Sequence, residues 1–207
     1  MNETQAFGTG DFFEGQTFDG LDVSTRRIAQ KEFFRCTFKN VRAFETTFDK
    51  CQFEKCIFDD CDLTRCSLAH SSLHGVEFRA CKLLGVNFSH ANKNVEISFN
   101  ASSLRYAVFD GMALRNTRFT DCQLQEAQFQ KSDLVASDFT GSDLTQALFD
   151  GCELGGADFS NACGFMLDPK ANRVRDAYIS PDTAAALAHA QGFRIAGHHA
   201  PAKKNKR

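Results

Sequence analysis

The chain has 207 residues and a formal net charge of −2, enough length for one well-buried domain or two small ones. Its 22 Phe, against two Tyr and no Trp, indicate a single ring type used repeatedly rather than a mixed core. Residues 170–207 hold eight Lys or Arg and two Asp, so +6 there leaves −8 for residues 1–169. The body is acidic and the end basic, and we expect no sequence-specific binding to nucleic acid.

The sequence shows neither a targeting signal nor the cysteine content of a disulfide framework. No stretch approaches the roughly 20 apolar residues of a membrane span, and residues 1–15 lack the basic and apolar segments of a signal peptide. We therefore expect a cytoplasmic protein without membrane contact. Nine Cys is an odd number, which argues against a disulfide framework.

A five-residue period organises the chain from Phe13 onward. Every fifth residue is a repeat centre from Phe13 to Phe88 and, after a one-residue slip within 89–98, from Phe99 to Phe159. Of these 29 centres 26 are Phe or Leu, and from Phe99 the two alternate strictly. The period fits neither an α-helix nor an ordinary half-buried strand. The residue two before each centre is mostly small, so we expect both to point inward and the other three to face solvent.

Units such as ASDFT, GSDLT and GADFS resemble the motif of the pentapeptide-repeat family over roughly residues 16–162. The resemblance implies an all-β fold, a right-handed quadrilateral parallel β-helix with four repeats per coil. Strict alternation would then place Phe on two opposite sides and Leu on the other two. Coils about 4.8 Å apart would build a rod of about 35–40 Å.

Four segments follow from this pattern. We predict an N-terminal segment over 1–12 and a β-helix over 13–164, whose register break at about 89–98 forms a bend or short loop between two sub-rods. A C-terminal cap and dimerisation module should span 165–197, and a flexible basic tail 198–207.

The cysteines resemble a metal cluster only at first sight. Cys51, Cys56, Cys61 and Cys66 are spaced by five, whereas zinc sites use spacings of two to four. Each occupies the small inward position, where a cysteine acts as a small buried hydrophobe. His70 and His74 are four apart but lack a third ligand.

We therefore expect no metal site and no cofactor. The sequence contains no glycine-rich phosphate loop and no paired nucleophile and base, and a filled rod offers no concave site. These features predict a protein-binding surface and no catalytic residues.

Residues 132–169 carry seven acids and no Lys or Arg. The candidate partner-binding surface consists of Asp133, Asp138, Asp143, Asp150, Glu153 and Asp158. Spacing by 20 places Asp133 beside Glu153 and Asp138 beside Asp158, at some cost from like charges. These acids are either ordinary repeat residues or a DNA-like field that attracts a basic protein groove.

The end of the chain departs from the repeat. Ser180 is a suitable N-cap, Pro181 fits the first helical position, and Gly192 would end the helix. Phe193–Ile195 is predicted as a short strand, and the whole segment as a cover for the open end of the β-helix. The candidate dimer interface consists of Ala184, Leu187, Ala188, Phe193 and Ile195.

A DP-x-x-N stretch, a short helix and a Gly-aromatic-x-Ile ending resemble the C-terminus of topoisomerase-protecting pentapeptide proteins, the Qnr, MfpA, McbG and AlbG group. The segment KLLGVNF before the slip also resembles AlbG and McbG. The resemblance implies a homodimer that binds DNA gyrase or topoisomerase IV and counteracts a quinolone, albicidin or microcin type of poison. A generic pentapeptide scaffold with another protein partner is the alternative.

Overall fold

The computed structural model describes Phe7 and residues 10–195, which form a parallel β-solenoid of about eight coils and a short helix, α1 (Pro181–Ala190). Thirteen short strands follow one another along the chain. They are β1 (Phe12–Glu14), β2 (Thr17–Asp19), β3 (Arg27–Ala29), β4 (Glu32–Phe34), β5 (Thr37–Lys39), β6 (Thr47–Asp49), β7 (Gln52–Glu54), β8 (Ile57–Asp59), β9 (Ser72–Arg79), β10 (Glu96–Asn100), β11 (Arg118–Thr120), β12 (Asp158–Phe159) and β13 (Tyr178–Ile179). The predicted parallel β-helix is confirmed.

Each coil bonds to its neighbours through a parallel ladder with a register of 20 residues, except across the break at 89–98, where partners such as Lys82 and Ser103 are 21 apart. The Phe139 N–H donates to the Asp158 carbonyl at 2.9 Å in the next coil, and the Asp158 N–H donates to Ser137 at 2.9 Å. The same register joins β1 to β4 and β4 to β7. Because the backbone groups are satisfied between coils, one coil alone would leave them unpaired.

The corners depend on a left-handed backbone. The residue two after a repeat centre has positive φ at most corners, as at Arg65 (55°), Gly85 (65°) and Tyr106 (60°). This conformation costs a non-glycine residue about 1–2 kcal/mol, so the ladder must compensate at each such corner. Since ordinary side chains occupy most corners, glycine is needed at few of them.

The core is a set of stacked rings. Every repeat centre is buried except Phe18, which is only partly covered. Phe119 stacks on Phe139 at 4.9 Å between ring centroids, and Phe139 on Phe159 at 4.7 Å. On the opposite side Phe109, Phe129 and Phe149 form a second stack, as the strict alternation predicts.

The register break does not divide the core. A 3₁₀ turn over Phe88–His90 and a bulge between Glu96 and Ile97 take up the extra residue. Phe78 nevertheless stacks on Phe58 and on Phe99, each at 5.1 Å. A short turn therefore lies at the register break, and the ring stack continues past it.

The ladder runs beyond residue 164, where we placed the end of the β-helix. Asp158 and Phe159 pair with Tyr178 and Ile179, and Glu153 pairs with Arg173. Asn172 takes the small inward position, where its amide donates to the Phe149 carbonyl at 3.0 Å. The sequence concealed this last coil because its inward residue is an asparagine and because Val174 and Ile179 stand where Phe or Leu would mark the repeat centres.

Rings outside the repeat cover both ends of the core. Phe7 packs on Phe18 at 5.3 Å between centroids, and Phe165 stacks on Phe159 at 4.2 Å. Leu167 is also buried there. These residues shield stacked rings that would otherwise face water.

Helix α1 begins as predicted, and its end differs from the prediction. The Ser180 side chain accepts a hydrogen bond from the Thr183 N–H, and Pro181 is in the first turn. The predicted strand at Phe193–Ile195 is wrong, because the Phe193 N–H donates to Ala188 at 3.0 Å and turns the chain back onto the helix. The predicted basic tail, 198–207, lies outside the described residues.

Candidate partner-binding surface

The four sides of the rod are numbered in the order in which the chain crosses them. The first side carries the centres Leu134 and Leu154, the second Phe139 and Phe159, the third Leu144, and the fourth Phe149. Asp133 and Glu153 precede centres on the first side, Asp138 and Asp158 on the second, and Asp143 on the third; Asp150 follows the fourth-side centre. The six predicted acids therefore surround the rod and do not share one face.

On the first side, arginines of flanking coils neutralise the acids. Arg115 contacts Asp133 at 3.0 Å, and Arg173 contacts Glu153 at 2.6 Å. These pairs are exposed, so each contributes only about 0–1 kcal/mol to stability. Their main effect is to compensate the negative field on this side.

On the second side, Asp138 and Asp158 lie in register on adjacent coils, about 4.8 Å apart along the rod. Asp138 accepts a hydrogen bond from the Thr140 N–H and Asp158 one from the Ser160 N–H, each at 2.8 Å. Neither belongs to an ion pair found among the described residues. The backbone bonds hold both carboxylates in place without neutralising them. Arg118 lies in register with Asp138 one coil back, and no ion pair joins the two.

Asp143 and Asp150 extend this charge to the neighbouring sides. Burial opposes ionisation of Asp143, but hydrogen bonds from the Thr145 hydroxyl and N–H and from the Gln125 amide outweigh it and lower its pKa. Asp150 is exposed beside the corner at Gly151. Asp143 therefore stays charged well below neutral pH.

The inward cysteines are packing groups. Eight of the nine are buried, and only Cys163 is exposed. The Cys56 thiol donates to the Phe33 carbonyl at 3.3 Å, and burial raises the pKa of Cys56 to about 11 and that of Cys66 to about 12. Among residues 7 and 10–195, no group of three His, Cys, Asp or Glu side chains is arranged to hold a metal ion.

The predicted dimer residues are unequally placed. Ala184 and Phe193 are exposed, the latter by 67%, whereas Leu187, Ala188 and Ile195 are half-buried. The buried residue of α1 is Ala185, which the sequence did not indicate.

Other exposed apolar side chains lie close by in sequence. Met166 is 57% and Tyr178 64% exposed, and both were missed because they lie outside the repeat centres. Like Phe193, they are apolar side chains exposed in the C-terminal part of the described chain. Within that described part, no helix combines the length and apolar character that a membrane crossing requires.

Comparison with known proteins places these features in a family. The model of the pentapeptide repeat region matches residues 31–104 and 93–159. No curated protein sequence matches the chain.

Among solved structures, a trypsin-treated variant of QnrB1, a plasmid-mediated fluoroquinolone resistance protein, is similar with a TM-score of 0.62 at 20% identity over 89% of this chain and 99% of that one. A second trypsin-treated QnrB1 variant has a TM-score of 0.58 at 22% identity, over 95% of this chain and 94% of that one. HetL is a pentapeptide repeat protein involved in heterocyst differentiation regulation in the cyanobacterium Nostoc. Its TM-score is 0.37 at 18% identity, over 83% of this chain and 88% of that one. The two QnrB1 likenesses identify a shared fold.

Proposed function

The chain belongs to the pentapeptide-repeat family, and on that premise we propose that it is a DNA-mimicking protein that binds DNA gyrase or topoisomerase IV. In this role it gives resistance or self-immunity to a topoisomerase poison. The supporting observation is a run of carboxylates without cations, residues 132–169, on a rigid rod. The similarity of fold to QnrB1, a fluoroquinolone resistance protein, also supports the proposal.

The surface suits a cationic groove for a physical reason. Asp138 and Asp158 repeat at the coil spacing and are fixed by backbone hydrogen bonds, so binding orders few side chains. Arg115 and Arg173 form ion pairs on the first side, whereas Arg118, in register with Asp138 on the second side, forms none with it. The carboxylates of the second and third sides therefore carry the field that attracts a basic partner. Docking should therefore use the edge between Asp138, Asp158 and Asp143.

We propose further that two copies join through the C-terminal end. Exposed Phe193, half-buried Leu187 and the one-sided edge of β13 offer apolar area and unpaired backbone groups there. Leu187→Arg with Phe193→Asp should convert a dimer into monomers on light scattering. A dimer that persists would place the interface elsewhere.

The direct test is a gyrase assay. Supercoiling and poison-stabilised DNA cleavage are measured with and without the protein, using a quinolone, albicidin and a microcin in separate reactions. We expect direct binding to gyrase and less cleavage with at least one poison. Absence of binding to both gyrase and topoisomerase IV would overturn the proposal in favour of another protein partner.

A matched pair of variants locates the surface. Asp138→Asn with Asp158→Asn keeps the acceptor for each backbone N–H, so the fold should remain, and gyrase binding should weaken about ten-fold or more. Asp59→Asn with Asp62→Asn makes the same change in net charge near the other end and should have a smaller effect. Equal effects would mean that net charge alone matters.

A further inference from the structure

An apolar groove lies on the third side of the rod, far along the chain from the acidic run. It is lined by Phe44, Thr64, Arg65, Leu84, Gly85 and Tyr106. Phe44 is 39%, Leu84 36% and Tyr106 45% exposed, although outward positions of this repeat are otherwise mostly polar. Exposed apolar side chains that are grouped in this way, unlike scattered ones, indicate a binding site.

The repeat geometry sets the dimensions of the groove. Phe44 and Leu84 each follow a repeat centre of the third side and lie two coils apart, which is about 9.6 Å. Thr64 lies between them. Two Leu side chains seven residues apart on one face of an α-helix are separated by about 10.5 Å, so such a helix matches the span.

Gly85 adds a notch to one edge of the groove. The corner residues in this column include Arg65, Gly85 and Tyr106 on successive coils, all with positive φ. A Cβ built on Gly85 would meet only the Arg65 Cγ, at 3.9 Å. Because Arg65 and Tyr106 adopt the same backbone, the corner itself does not require glycine, and its absent side chain leaves open space.

The charges around the groove favour an acidic occupant. Arg65 is already paired with Glu45 at 3.4 Å, whereas Arg105, whose guanidinium lies 5.9 Å from the Tyr106 ring centroid, takes no part in an ion pair found among the described residues. Lys82 lies in the same column as Asp62 and takes no part in an ion pair found among the described residues. Arg105 and Lys82 therefore leave positive charge beside the groove, in contrast to the acidic run on residues 132–169.

We propose that this groove binds an amphipathic helical segment of a partner protein that carries two apolar anchors seven residues apart and flanking carboxylates. One anchor packs on Phe44 and the other on Leu84 and into the notch at Gly85. The carboxylates pair with Arg105 and Lys82. The site does not include Asp138 or Asp158.

Three labelled peptides of about twelve residues test the proposal by fluorescence anisotropy on the full chain. The first has Leu anchors at positions i and i+7 with flanking Glu, the second has Lys in place of Glu, and the third has Ser in place of Leu. We expect the first to bind about ten-fold more tightly than either other peptide. Equal binding by all three would overturn the proposal.

Gly85→Gln fills the notch without replacing any apolar residue, and it should weaken binding of the first peptide about ten-fold. Gly20→Gln is the matched control, since Gly20 has a φ of 67° and nothing within 4 Å of a built Cβ. Leu84→Ser should act like Gly85→Gln, while Asp138→Asn with Asp158→Asn should leave peptide binding unchanged. Full binding by Gly85→Gln, or self-association on light scattering that Leu84→Ser abolishes, would contradict a partner segment in this groove.

Discussion

The two halves of the rod share one core and differ in their surfaces. In the first half, up to the register break, six cations contact an acid close by on the rod. The ion pairs are Lys31–Asp11, Arg27–Asp49, Arg42–Asp22, Lys55–Glu54, Arg65–Glu45 and Arg79–Glu77. In the second half Arg115 and Arg173 neutralise two acids, and residues 132–169 contain no cation.

The interiors also differ, at the small inward position. Cysteines fill much of it in the first half, as at Cys56 and Cys61, whereas serines such as Ser132, Ser137 and Ser142 are common in the second. Each of those serines donates a hydrogen bond to a carbonyl one coil back. The thiols of Cys56 and Cys61 also donate to carbonyls one coil back, so the two interiors differ in the kind of inward donor and not in whether it bonds. The outward positions remain free to set the charge.

The largest expected effect is on the shared core. Phe119→Asp places a carboxylate between Phe99 and Phe139, where removal of a ring alone costs about 3–5 kcal/mol and an unpaired charge costs more. Neighbouring coils in both halves should lose structure, because each is stable only against the next. Circular dichroism and melting measure the loss, and Gln123→Asp, on the exposed surface, is the control. Wild-type melting of Phe119→Asp would mean that the ring register is wrong.

A smaller loss of stability is expected when an inward hydroxyl of the second half is removed. Ser142→Ala removes the donor to the Phe119 carbonyl and the acceptor of the Cys122 N–H, which lies at 2.8 Å. Leaving such buried groups unpaired costs about 1–3 kcal/mol, measurable in urea unfolding. Outward Ser160→Ala should change stability by less than about 0.5 kcal/mol. Equal stability of the two variants would refute a structural role for the inward hydroxyls.

The smallest effect concerns thiol reactivity. At pH 8 a thiol reagent should label Cys163 alone, and the other eight cysteines only after unfolding. Burial and the charge of Asp143 raise the pKa of Cys163, so its thiolate fraction at pH 8 is low.

Asp143→Asn removes that charge, lowers the pKa of Cys163 and should speed labelling below pH 9, whereas Asp150→Asn should not. Rapid labelling of several cysteines in the native protein would contradict a closed core.

The sequence was sufficient for the fold because one period repeats over most of the chain. The alternation of Phe and Leu from Phe99 to Phe159 is enough to predict the ring stacks. The start of helix α1 is also predictable, because Ser180 and Pro181 are a local capping pattern. The last coil could not be predicted, since Asn172 replaces a small apolar residue and bonds to the backbone instead. The neutralisation of Asp133 and Glu153 could not be predicted from the sequence either. Arg115 and Arg173 lie outside residues 132–169 and reach these acids only once the coils are stacked.

The groove around Leu84 illustrates the same limit. Phe44 and Leu84 are 40 positions apart, and nothing in the local sequence relates them to Gly85 and Tyr106. The 20-residue register joins them on one side of the rod. Once the register is known, each outward position can be assigned to a side and its neighbours named.

The most direct test of the difference between the halves is gyrase binding by two variants with equal changes in charge. One carries Asn or Gln at Asp133, Asp138, Asp143, Asp150, Glu153 and Asp158. The other carries Asn or Gln at Asp49, Glu54, Asp59, Asp60, Asp62 and Glu77.

Because these side chains point outward, both variants should remain folded. The first should lose most gyrase binding and its dependence on salt, which screens charges over about 10 Å at 0.1 M ionic strength, and the second should keep both. Equal loss would reduce the effect to net charge, and full binding by the first variant would contradict a partner surface on the acidic half.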